Sequence, residues 1–362
     1  MTESIAELAA QLVAIDSVNP ALVPGGAGER QCVHALAAWC DAHGLDVQVV
    51  GGDARPSLIA RTANREGRSL LLNGHLDTVG VAGMRDPFEP RIEDGRLYGR
   101  GSYDMKGALA ALCVAAAECD GNVIVTAVAD EELASIGTEE ILRHVTADAA
   151  LVAEPTELQV AVAHRGFVGF EIETAGVAAH GSRPDLGVDA IVAMGPILVG
   201  LDELDGRLQS GARHPLAGTG AVHASLIAGG QEMSSYPASC VLMGERRTIP
   251  GETLADVERE LRELAGGAEV RVLAHRDPYE APVEHEFVQL AARVAGSELV
   301  GAPFWTDAAL IAEAGIPTVL LGPAGEGAHA EVEWVDLASL HRLRDLVVEL
   351  AQAWCGSTSS GS

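Results

Sequence analysis

His75, Asp77, Asp104, Glu131, Glu132, Glu154 and His329 are the residues of this chain whose types and placement suit chemistry. His75 and Asp77 follow the apolar run SLLLN, and Asp130-Glu131-Glu132 follows NVIVTAVA. Glu154 follows AALVA, and His329 comes a few residues after TVLL in a glycine-rich loop. Runs of this kind read as buried parallel strands, and in open α/β sheets sites form outside the carboxyl ends of strands. Each residue alone has an ordinary explanation. A single loop His is usually just hydrogen-bonded, and acids after a strand often open the next helix, where the dipole favours them. The metal reading rests on their occurring together. His, Asp and Glu without Cys form a ligand set for zinc, cobalt or manganese in a hydrolytic site. Two metals ~3.5–4 Å apart need a carboxylate that bridges them. Asp104, in LYGRGSYDMKG just before a helix expected from Gly107, is the candidate, since the surrounding glycines let the backbone come close.

Other chemistries fit less well. Gly99-Arg100-Gly101-Ser102-Tyr103-Asp104 lacks the third glycine of a dinucleotide fingerprint, and Lys106-Gly107 is not part of a Walker A loop. The formal charge of −28 disfavours nucleic acid and anionic membranes as partners. It leaves room for an anionic substrate, because a bound metal reverses the local field. Nearly all basic residues are Arg, and Lys106 is the sole lysine. The start MTESIAELAAQLVAI has no basic segment and reads as an amphipathic helix, so a cytoplasmic location is expected. The longest apolar run, Ala108 to Ala117, is too short to span a bilayer. The six cysteines show no CxxC spacing and read as small buried hydrophobes. The tail GSTSSGS is low in complexity and carries no fold information.

The elements that must position these residues point to two domains, as does the length of 362 residues. Helices are expected over 4–17, 28–43, 107–119, 138–144 and 337–354. Buried strands are expected over 69–73, 122–129, 149–153 and 318–321. The expected fold class is α/β, a catalytic sheet with helices on both faces. The middle reads differently. An alternating strand over 166–174 precedes a helix over 187–204. Strands over 221–229 and 239–246 follow, parted by a Gly-Gly turn at 229–230, then a helix over 253–266 and a strand over 269–274. That β-α-β-β-α-β order is a small α+β sandwich. The expected division is therefore a catalytic domain of 1–163 and 275–362 with an inserted domain of 164–274.

GHLDTV (74–79), GRGSYDMKG (99–107), ADEE (129–132), AEPT (153–156), AHGSRP (179–184) and LGPAGEGAH (321–329) occur in that order. Together they resemble the co-catalytic zinc amidohydrolases that include acetylornithine deacetylase, succinyl-diaminopimelate desuccinylase, aminoacylase and glutamate carboxypeptidase, over nearly the whole chain. The resemblance implies two divalent metals per subunit, zinc or cobalt. One would be held by His75, Asp104 and Glu154, the other by His329, Glu132 and the shared Asp104. Asp77 would accept the second imidazole N–H of His75, and Glu131 would be the general base for a metal-bound hydroxide. His180 would steady the oxyanion from a partner subunit, which implies a homodimer formed through the inserted domain. Arg247 would grip the carboxylate of a small substrate, with Arg246 adjacent and Arg183 and Arg165 as weaker candidates. Relatives often carry Asn where this chain has Ser234, a departure at the substrate-binding position. After His329 they often carry a Pro and an acid, for which Glu333 is the nearest match. The implied activity is removal of the acyl group from an N-acyl amino acid, with dipeptidase or carboxypeptidase action as the alternative. A catalytically silent metal-binding protein is the alternative of another class, and the intact Glu131 and ligand set argue against it.

Overall fold

A computed structural model describes residues 4–81 and 83–356. The low-complexity tail, Gly356 apart, lies outside them. The chain forms two compact units. One takes in the chain up to Val162, Ala281–Val300 and the chain from Thr306 onward; the other comprises Ala163–Glu280 and Gly301–Trp305.

The first unit is built on a mixed sheet. Its strands run in the spatial order Asp46–Val50, Ser57–Arg61, Asn122–Val128, Ser69–His75, Ala149–Val152, Thr318–Leu320 and Val160–His164, the last of which crosses the boundary between units. The four apolar runs singled out in the sequence are its centre. Ser69–His75 pairs in parallel with Asn122–Val128 on one side and Ala149–Val152 on the other, and Thr318–Leu320 extends the parallel set. Every residue of Ser69–His75 is buried. Side chains alternate between the faces of a strand, so burial of all of them requires cover on both faces. Helix Gly107–Glu118 is buried along its whole length to Ala116 and packs against helices Ile5–Val13 and Leu337–Cys355. Ile136–Ile141 and Ala308–Glu313 cover neighbouring strands. All six cysteines are buried and unpaired.

Not anticipated was a small antiparallel sheet, in the order Gly325–Glu326, Trp334–Asp336, Arg96–Tyr98 and Arg91–Glu93. Its strands are two or three residues long, too short to show a period, yet it fastens the loop of His329 to the segment leading into Asp104.

The second unit is an open-faced sandwich. An antiparallel sheet in the order Ala221–Gly229, Ser239–Thr248, Gly166–Ala175, Glu269–Arg276 carries helices Ala190–Ser210 and Leu254–Ala265. Residues of Gly166–Ala175 are alternately buried and partly exposed, the mark of one covered face. The buried set, with Phe170, Ile172 and Leu242, meets Met194, Ile197 and Leu201 of one helix and Val257 and Leu261 of the other. Phe170→Ala is expected to lower the stability of this unit by about 3–5 kcal/mol, read as a lower urea midpoint at unchanged slope. The tight Gly-Gly hairpin expected at 229–230 is not formed. Gly229 closes its strand, the next begins at Ser239, and residues 230–238 form a longer loop.

Candidate metal centre

Each predicted ligand of the first unit except Asp104, which lies in the helical turn Ser102–Lys106, stands at or beyond the end of a strand. His75 is the last residue of its strand, Glu154 lies two beyond Val152, and Glu131 and Glu132 lie just past Val128. His329 sits between the short strands Gly325–Glu326 and Trp334–Asp336. It adopts φ +64°. The loop turns sharply at Gly327, φ +88°, where a Cβ would lie 1.8 Å from the Val332 carbonyl oxygen.

The loops converge. His75 Nε2 is 3.0 Å from Asp104 Oδ1 and 3.8 Å from Glu154 Oε1. His329 Nε2 is 3.4 Å from Asp104 Oδ2 and 3.1 Å from Glu132 Oε2. The two oxygens of Asp104 thus face different imidazoles, as a bridging carboxylate must. One ligand atom from each of His75, Glu131 and Glu154 falls within 4.8 Å of the others, and the same holds for His75, Asp104 and Glu132.

Asp77 differs from expectation. The His75 Nδ1–H hydrogen bond goes to the Asp77 carbonyl oxygen at 2.9 Å, with the carboxylate 3.7 Å away. The carboxylate instead accepts the main-chain N–H of Glu131 at 3.0 Å, that of Glu132 at 3.2 Å and Asn19 Nδ2 at 2.8 Å. Asp77 therefore orients the two acids as well as the imidazole. A buried network missed in the sequence supports it. Asn19 also donates to Asp130, and Arg55 binds Glu29 and Asp130. These residues come from separate stretches with no common pattern. Asp307, buried and accepting from Thr138 Oγ1 at 2.6 Å, was missed for the same reason.

The electrostatics call for cations. Asp104, Glu131, Glu132 and Glu154 share this space with two imidazoles. Glu131 keeps part of its surface accessible, yet enclosure of its carboxyl and the charge of Glu154 push its pKa well up. Glu154 is raised by burial and by Asp104, against the pull of His75. The hydrogen bonds and charges of His329 and His75 hold Asp104 below the usual carboxylate range in spite of burial. Hydrogen bonds to Asp104 and Glu132 raise His329 to about 10. Paired carboxylates with oxygen and imidazole donors and no thiolate fit divalent zinc, cobalt or manganese.

A pH dependence follows for the metal-free protein. His329, raised from 6.5 to about 10, contributes stability that is complete below 6.5 and lost as pH rises through 10. Asp77, raised by burial from 3.8 to about 7, costs stability progressively over that interval. Metals replace the protons and bind better as pH rises. The difference in Tm between metal-loaded and metal-free protein should therefore widen from about pH 6 to about pH 9, and a constant difference would contradict this electrostatic account.

Of the remaining predicted residues, His180, Ser234 and Arg247 belong to the second unit. The segments of His180 and Ser234 meet there: Gly181 N donates to Ser234 O at 2.6 Å, and His180 Nδ1 is 2.8 Å from Ser182 Oγ. Arg246 is 1% exposed and bound to Glu252 and Glu260, a structural role. Arg247, a third exposed, pairs with Glu245 and lies over Phe167. Arg165 donates to Ala217 O, and Arg183 pairs with Asp185.

The sequence profile of peptidase family M20/M25/M40 matches residues 71–353. The chain belongs to that family. It is 30% identical to the acetylornithine deacetylase of Proteus mirabilis, covering 96% of each chain, and 30% identical to that of Pasteurella multocida, covering 90% of this chain and 91% of the other. An M20 family metallo-carboxypeptidase from Sulfolobus solfataricus shares the fold at a TM-score of 0.80, with 17% identity over 98% of this chain and 100% of that one. A dinuclear metal-binding M20 peptidase from Bacillus subtilis does so at a TM-score of 0.73, with 17% identity over 98% of each chain. This M20 chain is accordingly a metal-dependent hydrolase of amide bonds. No helix among its described residues is long and apolar enough to cross a membrane.

Proposed function

We propose that this M20 hydrolase removes the acyl group from a small N-acyl amino acid, using two divalent metals, with zinc the leading choice and cobalt a working substitute. The observation that carries the two-metal reading is Asp104, whose oxygens face His75 at 3.0 Å and His329 at 3.4 Å. Full-length similarity to acetylornithine deacetylases favours deacylation over peptide cleavage. Likeness to the peptidases, at 17–20% identity, speaks for the fold alone.

His75, Asp104 and Glu154 would hold one metal, and Asp104, Glu132 and His329 the other. Divalent metals held there would supply Lewis-acid polarisation of the scissile carbonyl and a lowered pKa, toward ~7, for a bound water. Glu131, its proton affinity raised by its surroundings, takes a proton from the attacking water and delivers it to the amine nitrogen as the C–N bond breaks. Asp77, bonded to both neighbouring N–H groups, keeps Glu131 and Glu132 turned to their separate tasks. In this reading Arg247 binds the substrate carboxylate as a bidentate fork, and Ser234 lines the substrate site.

A homodimer is part of the same proposal, with an oxyanion donor in His180 of the partner subunit. The second unit offers a surface for it. Ala221–Gly229 is an edge strand, its Leu226 is 66% exposed, and Val192 on helix Ala190–Ser210 is 70% exposed. Unpaired edges and exposed apolar side chains of this kind favour association. Sedimentation should show a dimer, and a monomer of full activity would sink the role of His180. The deacylase reading is tested with a panel of N-acetyl, N-succinyl and dipeptide substrates. Best turnover on an N-acyl amino acid supports it, and best turnover on dipeptides makes the chain a peptidase.

A further inference from the structure

Arg100 and Glu333, each 2% exposed, form a buried ion pair that the mechanism above does not use. Arg100 Nη1 donates to Glu333 Oε2 at 2.6 Å, and Arg100 Nη2 donates to Ala330 O at 2.9 Å. The Glu333 carboxylate accepts three further hydrogen bonds, all from the main chain of the loop that carries Asp104. Gly101 N binds Oε2 at 3.0 Å, while Tyr103 N and Asp104 N bind Oε1 at 2.9 and 3.1 Å.

A buried ion pair is weak evidence of a stabilising role, since well-packed apolar residues often serve as well. What this pair does offer is geometry. Its contacts end on the amide of Asp104 and on the carbonyl of Ala330, the residue after His329. Those two segments come from distant parts of the chain and are otherwise joined by strands of two or three residues. His329 has the most exposed side chain of the ligand set and a left-handed backbone. His75 and Glu154, by contrast, extend fully buried strands of the central sheet and have no comparable need of a brace.

We propose that Glu333 and Arg100 are positioning residues that fix the His329 loop against the Asp104 segment, and so govern the metal position formed by Asp104, Glu132 and His329, while the other position, which shares Asp104, is anchored as well by His75 and Glu154 on the central sheet. This rests on the two-metal reading. The chemical signature is selectivity: weakening the brace loosens one metal and leaves the other.

The test is Zn²⁺ titration of metal-free wild-type protein and of Glu333→Gln by calorimetry, with metal content after dialysis as a second readout. Each carboxylate oxygen accepts two of the four hydrogen bonds, so whichever way the amide of Gln turns its N–H₂, two are lost without a change of size. Wild type should bind two Zn²⁺. In Glu333→Gln one site should keep its affinity and the other should weaken by about 10–100-fold, the usual effect of removing a partner that orients a ligand. Turnover should fall at limiting metal and recover with added Zn²⁺, at a KM near that of wild type. Arg100→Lys keeps the charge but loses the fork, so it should weaken the same site. It carries the test if Glu333→Gln does not fold. Two sites of wild-type affinity in Glu333→Gln, equal loss of both, or failure of both variants to fold would overturn the proposal. A wild type that binds fewer than two metals would instead defeat the two-metal reading itself.

Discussion

Glu131→Ala is expected to keep its metals and lose turnover by about 10³–10⁴-fold, or about 4–5.5 kcal/mol in the barrier. The pairing of these outcomes matters, because Glu131 lies within ligand distance of His75 and Glu154. A carboxylate there could hold metal or move protons. Its backbone is held by Asp77, and its carboxyl is pushed toward the protonated form by enclosure and by Glu154. Metal analysis and kcat of Glu131→Ala and Glu131→Gln decide between these roles. Loss of metal alongside activity would make Glu131 a ligand, and near-normal turnover would remove it from the mechanism.

His75→Ala is expected to lose both metal and activity. Its imidazole is 1% exposed and meets Asp104 and Glu154 directly. Removing it leaves buried carboxylates without their nearest cationic or metal-sharing neighbour and deletes a direct donor. The fall in metal affinity should exceed the about 10–100-fold expected when only an orienting partner is lost, and turnover should drop below detection at ordinary metal concentrations. Metal content after dialysis is the direct readout. Two metals retained in His75→Ala would refute its role as a ligand.

The centre of the fold and the candidate residues at its strand ends were readable in the sequence for one physical reason. Strands covered on both faces must be apolar throughout, so SLLLN, NVIVTAVA, AALVA and TVLL stand out, and the polar residue after each run marks where the sheet ends. The sandwich of the second unit was readable from the alternation in FVGFEIET and from its charged amphipathic helix. What was not readable depends on contacts between distant segments. The short strands around Arg96–Tyr98 and Trp334–Asp336 have no period to detect. Asn19, Arg55 and Glu29 reach the site only through folding. Glu333 was noticed as the acid after His329, but its grip on the Asp104 loop leaves no trace in spacing. Strand alternation separates Arg246 from Arg247, burying the first and leaving the second partly exposed. For Asp77 the partner was right and the atom was not: the imidazole binds the carbonyl, and the carboxylate is used on Glu131 and Glu132.

The most direct test of the central claim is the release of free amino acid from an N-acetyl amino acid by metal-stripped protein, followed as Zn²⁺ or Co²⁺ is added back. The account predicts no release in chelator, with activity restored as the site formed by His75, Asp104, Glu132, Glu154 and His329 fills. Release that persists undiminished in chelator, with no metal on the protein, would contradict it.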